Sequence, residues 1–200
     1  MRFRQTLGLF ALALLVMAPV VARASSHELE LDYVWYFPSN VELEGLNTEI
    51  EYQDTSGWGA RYGYRFDAPW GIGITWSHVD MDSANSDNTR GCSHCDFDVD
   101  FADFSAEWYP GNHEWALYGG LGWASGQFSV NFPGGGTGND ETISDDAITY
   151  HIGTAYAWRI GHSFYIRPDA RLRFIQLDQS GRGKYDSEDP EIRVGFGWRF

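Results

Sequence analysis

Glu191-Ile192-Arg193-Val194-Gly195-Phe196-Gly197-Trp198-Arg199-Phe200 ends the chain, and its reading decides the architecture. Side chains in an extended strand alternate between two faces. Ile192, Val194, Phe196, Trp198 and Phe200 therefore share one face, which is wholly apolar and aromatic. Glu191, Arg193, Gly195, Gly197 and Arg199 share the other, which is charged or small. The same alternation recurs upstream near Glu28–Phe37, Trp58–Asp67, Trp70–Met81, Asp98–Tyr109, Glu114–Gln127, Ala147–Ile160 and Ser163–Leu177. Together these predict an all-β chain of eight strands.

The connections alternate in length as well. Short turns fall at Ala68-Pro69, at Pro110-Gly111-Asn112-His113 and at Gly161-His162, whereas 38–57, 82–97, 128–146 and 178–190 are long. Each strand holds roughly ten residues, the length that a tilted strand needs to cross a bilayer. In lipid, only a closed barrel satisfies the backbone of spanning strands, so strand eight is expected to pair with strand one. All nine tryptophans lie on the apolar face, several near strand ends, as interfacial girdles require. A soluble barrel with that face inward would have to pack nine indoles into a lumen that holds only ordinary side chains.

The start of the chain reads as a separate, removable segment. Arg2 and Arg4 precede an apolar run from Leu7 to Val21, and Ala22-Arg23-Ala24 forms a small-x-small cleavage site. Residues 1–24 are expected to be a secretory signal peptide, with the barrel over 25–200. The run falls short of the ~20 residues of a membrane helix. Removing Arg2, Arg4 and Arg23 leaves 11 basic against 28 acidic residues, a net charge of −17. Such a chain lacks the basic footprint that nucleic acid demands. Its aromatic content of 16% argues against disorder.

The ending Val194-Gly195-Phe196-Gly197-Trp198-Arg199-Phe200 resembles that of small OmpA/OmpX-type barrels of the outer membrane protein beta-barrel domain family. The resemblance covers the whole mature chain. It implies an eight-stranded antiparallel up-and-down barrel in the bacterial cell outer membrane, in contact with outer-membrane lipid and lipopolysaccharide. It also implies that Trp198 and Phe200 form the signal read by the barrel-insertion machinery, and that the long loops face outside the cell. No OmpA-type periplasmic domain is expected after Phe200.

The face opposite the tryptophans should fill the lumen. It carries Glu28, Glu30, Asp32, Asp67, Asp103, Glu107, Glu114, Asp169 and Glu191. Against them stand Arg61, Arg65, Arg159, Arg167, Arg171, Arg173, Arg193 and Arg199, among interspersed glycines. Buried charges must pair, so an ion-pair network through Glu30, Asp32, Arg61, Arg65, Asp103, Glu107, Arg167, Asp169, Arg171, Arg173 and Arg193 is expected to plug the barrel. A narrow ion or small-solute channel is the alternative use of the same residues. Pro168, inside strand seven, predicts a bulge or a broken ladder bond.

The remaining 19 acids lie mostly in the long loops, Asp178, Asp186, Glu188 and Asp189 in the last of them. A surface this negative would collect divalent cations or a basic surface ligand, or simply repel its own kind. Cys92-Ser93-His94-Cys95 holds the only two cysteines, which are expected to pair as a disulfide in the oxidising envelope. A lone Cys-x-x-Cys is a weak zinc motif, and no metal or cofactor is assigned. Lipid A-modifying enzymes are the third class considered. The deacylase pattern is His-x-Ser, but His151 leads to Gly153 and His78 to Asp80, so no catalytic residue is assigned. The expected role is structural or surface-interacting rather than enzymatic.

Overall fold

The computed structural model describes residues 26–39, 41–43, 48–50, 54–66, 69–82, 94–111, 114–131, 141–179 and 183–200. Side chains are described for 26–39, 54–66, 69–80, 98–111, 114–126, 146–175 and 187–200. The expected signal peptide and Cys92 lie outside the described residues. So does the side chain of Cys95, and with it the expected disulfide.

Eight strands form the barrel: β1 (Ser26–Tyr36), β2 (Thr55–Arg65), β3 (Trp70–Asp82), β4 (His94–Trp108), β5 (Trp115–Asn131), β6 (Glu141–Tyr156, resumed at Trp158–Arg159), β7 (Phe164–Gln179) and β8 (Gly183–Arg199). Each pairs antiparallel with its sequence neighbour. The last closes on the first, from Glu28↔Arg199 to Tyr36↔Glu191. A small hairpin, Val41–Leu43 with Thr48–Ile50, stands in the first long connection.

The register fixes the shape. Paired residues run once round the wall as Ser26, Arg65, Gly71, Glu107, Tyr118, Gly153, Arg171, Glu191 and Tyr36, ten residues along β1 from the start. That stagger makes the strands lean on the barrel axis, typically by about 35–45°. Side chains that are far apart in sequence are thereby brought to one level inside.

Several strands run further than the hydrophobic alternation suggested. β7 and β8 pair out to Gln179↔Gly183, so most of the connection expected over 178–190 is strand. β5 likewise reaches Asn131 and β6 begins at Glu141. The ladder needs only backbone hydrogen bonds, so pairing continues where the alternation of apolar and charged residues stops.

Pro168 breaks a bond without making a bulge. Pairing to the sixth strand lapses at Arg167 and Pro168 and resumes in the same register at Ile166↔Trp158. Ala157 N donates to Glu114 O at 2.8 Å on one side, and Ile160 N to Phe164 O at 2.9 Å on the other. By that alternation the Tyr156 backbone faces Pro168, which has no N–H to give.

The two faces separate cleanly. Leu31 is 69% exposed and Trp158 70%, in a belt with Leu121, Ile152, Phe164, Phe196 and Trp198, while Glu28, Arg173 and Glu191 are buried. Apolar residues point out and charges point in. That inversion of a water-soluble core is what a lipid solvent imposes.

Candidate functional site

The lumen is built in tiers along alternate residues of each strand. Nearest the short turns, Glu28 on β1 faces Arg65 at 2.6 Å, Arg199 at 2.8 Å and Arg61 at 3.1 Å. Arg61 also reaches Glu107 at 2.5 Å, and Tyr109 donates to the same carboxylate. At the mouth, Arg159 pairs with Glu114 at 2.5 Å. Arg167 sits 3.5 Å from Glu30 and 3.7 Å from both Glu107 and Asp169, and Asp169 accepts from the Tyr118 hydroxyl.

The middle tier turns on Asp103. Arg173 meets it with two nitrogens at 2.8 Å each, and Arg171 with one at 2.7 Å. A side chain at Gly122 would run into Asp103 and Thr149, so the bare backbone there makes room for this junction. Arg173 also reaches Glu191 at 3.2 Å and lies 4.0 Å over the Phe101 ring. Arg193 bonds Glu191 and donates to Ser77 at 3.0 Å, and it stands 3.7 Å from Asp32. The eleven residues singled out from sequence thus face one lumen, joined there by Glu28, Glu191 and Arg199.

Asp189 belongs inside too, although its position suggested a loop acid. It is buried, accepts from Tyr36, and is held by Ser187 Oγ at 2.9 Å and Ser39 N at 2.8 Å. The extension of β8 past Glu191 explains the difference, because position 189 keeps the inward phase of 191 and 193. Among the described residues, nine carboxylates (Glu28, Glu30, Asp32, Asp103, Glu107, Glu114, Asp169, Asp189, Glu191) meet eight arginines (61, 65, 159, 167, 171, 173, 193, 199) in the lumen and its mouth.

Above the charges lies a layer that the count of charged positions did not anticipate. Val34, Tyr36, Val79, Val99, Phe101, Ala124, Ala147 and Ile175 form one buried apolar cluster at the long-connection end. Its signal was present in the sequence: Val34 and Tyr36 continue the inward phase of Glu28, Glu30 and Asp32.

Three of the described histidines make defined contacts. His151 is buried, with Ser105 Oγ 2.8 Å from its Nε2 and Asp103 3.7 Å from its Nδ1. That serine–histidine–aspartate order is sealed in the wall, and Asp103 is committed to two arginines. His78 points outward between Asp80 at 2.9 Å and Asp100 at 3.0 Å. His27 stacks on Phe200 with ring centroids 5.4 Å apart, bonds Tyr62 at 2.6 Å, and exchanges backbone hydrogen bonds with Phe200. The terminal aromatic is thus clasped by the first strand. Trp198 packs on it at 4.8 Å, and Trp70–Trp108 and Trp115–Tyr156 continue the aromatic girdle at the short-turn end.

Residues 8–200 match the outer membrane protein beta-barrel domain family. The chain belongs to this family. Solved outer-membrane barrels share its fold at low identity. Ail, the attachment invasion locus protein of Yersinia pestis, is 19% identical, with 89% of this chain and 100% of that chain covered and a TM-score of 0.56. A major outer membrane protein from Thermus thermophilus is 12% identical over 89% of this chain and 100% of its own, with a TM-score of 0.62. OprG from Pseudomonas aeruginosa is 13% identical over 89% and 97%, with a TM-score of 0.53. No curated protein matches the sequence. This barrel is a protein of the bacterial outer membrane, seated in its lipid.

Proposed function

We propose that this outer-membrane barrel is a closed scaffold with a structural or surface-interaction role, and that its acidic outer connections are the contact surface. The observation that carries the reading is the doubly closed lumen. An apolar layer from Val34 to Ile175 stands over a tier in which Asp103, Arg171, Arg173 and Glu191 hold one another. A conducting path would need mobile charges and continuous water, and both are disfavoured by that arrangement. The barrel-insertion machinery is the proposed reader of Trp198 and Phe200.

Ail has been crystallised with the heparin analogue sucrose octasulfate. A polyanion of that kind suits this chain poorly, since its non-lumenal charge is overwhelmingly acidic. Divalent cations or a basic surface ligand fit the electrostatics. Single-channel recording of the refolded barrel in a planar bilayer, with Arg171→Ala beside it, tests the closed lumen. A silent, inserted barrel is the expected result. Reproducible steps altered by Arg171→Ala would move the function into the lumen and make the protein a narrow channel.

A further inference from the structure

Among the described residues the lumenal carboxylates outnumber the arginines by one, and the structure points to where that excess is answered. Among the described residues, every other lumenal carboxylate has a donor within hydrogen-bond distance. Glu30 and Asp32 do not: Glu30 lies 3.5 Å from Arg167 and 3.9 Å from Arg61, and Asp32 lies 3.7 Å from Arg193. Contacts this long commonly have something between them.

The two carboxylates converge. They sit two residues apart on β1, both inward, opposite Gly197 and Gly195 of β8. A methyl group at Gly195 would touch Asp32 Oδ1 and would lie 2.5 Å from Glu30 Oε1, so both side chains lean over the same bare stretch of backbone. Glu30 Oε2 and Asp32 Oδ1 are buried without a hydrogen-bond partner. So is the hydroxyl of Tyr165, a residue 1% exposed whose ring lies over Gly197, the residue paired with Glu30. Arg193 Nη1, likewise buried and unpartnered, stands on the far oxygen of Asp32.

Carboxylate and phenol oxygens are the donor set of a hard cation. One surplus negative charge calls for one positive charge. A divalent ion would overcompensate beside Arg167 and Arg193, at a high cost in a water-poor site. We infer that Glu30, Asp32 and Tyr165 hold a single monovalent cation of the sodium class in the lumen, against the β1–β8 seam.

The test uses the full refolded barrel in detergent. Its thermal midpoint is measured in sodium, potassium and choline chloride at equal ionic strength, for the parent and for Asp32→Asn. A saturable upward shift with sodium or potassium over choline, lost in Asp32→Asn, is expected. Crystals of the parent soaked in thallium(I) supply a readout that does not depend on the variant folding. One anomalous peak within coordination distance of Glu30 and Asp32 is expected. Midpoints that ignore the identity of the cation, or a lumen without that peak, overturn the proposal and leave a proton or water between the two carboxylates.

Discussion

Arg173 grips Asp103 as a two-pronged fork, Nη1 to Oδ1 and Nη2 to Oδ2, each at 2.8 Å. The two residues lie 70 positions apart and on strands β4 and β7, which are not neighbours in the wall, so the bond crosses the lumen. Planar, charge-assisted pairs of this kind are the strongest a guanidinium makes. Asp103 is shared with Arg171, and Arg173 with Glu191. Removing Arg173 leaves this buried tier one positive charge short, with Arg171 alone on Asp103 and Arg193 alone on Glu191.

Arg173→Ala is therefore expected to destabilise the barrel by about 3–5 kcal/mol, the cost of leaving a buried partner charge uncompensated. Denaturant unfolding of refolded protein measures it. A loss under ~1 kcal/mol would mean that water already reaches this tier and screens the pair.

The apolar layer gives a separate expectation. Phe101→Ala removes a buried ring from the cluster and from beneath the Arg173 guanidinium. The expected loss is about 3–5 kcal/mol. No current should appear, because the ionic tier below still closes the lumen. Bilayer recording beside the unfolding curve checks both halves, and a conducting variant would show the apolar layer to be the sole barrier.

Pro168→Ala restores an N–H opposite the Tyr156 carbonyl. The new bond contributes roughly 1 kcal/mol, and loss of the proline ring from the unfolded chain offsets about 0.4–1 kcal/mol of it. Net stability should hardly move. Hydrogen exchange is the better readout: the new amide is expected to be protected, and fast exchange there would contradict the facing deduced from Ala157 and Ile160.

Deleting Phe200 removes the ring on His27 and one end of the two backbone bonds that begin the β1–β8 closure. Outer-membrane assembly in cells should fall sharply, while the same variant refolded in detergent loses only part of its closure. Equal losses in both settings would argue that Phe200 matters for packing alone and not as a signal.

The cysteines offer a chemical check. Intact-mass measurement should find the mature protein two hydrogens lighter than its dithiol form, with Cys92 and Cys95 in one peptide. The chain-entropy model assigns so small a ring about 2 kcal/mol. Free thiols in protein prepared without reductant would show that Cys92 and Cys95 are not paired.

Much of the architecture could be read before any tertiary contact was known. Glu28, Glu30 and Asp32 alternate with Leu29, Leu31 and Tyr33, and that alone separates the inner face from the outer. The indoles of Trp70, Trp108 and Trp198 locate the girdle, and the eight alternating segments set the strand count. Strand ends were less legible. Beyond the hydrocarbon no face needs to be apolar, so nothing in the hydropathy of 183–190 announces that β8 has begun.

Sequence by itself determined that this chain inserts its hydrophobic face into lipid and its charges into a lumen, because a period of two separates the faces and nine indoles do not fit inside eight strands. Only the tertiary structure decided which charges meet. A stagger of ten residues sets Asp103 level with Arg173, brings Asp189 in from an apparent loop, and leaves Glu30 and Asp32 beyond hydrogen-bond reach of any guanidinium. The stagger is a sum of registers around all eight strands, so no single segment carries it. The pairing inside a barrel is a property of its closure.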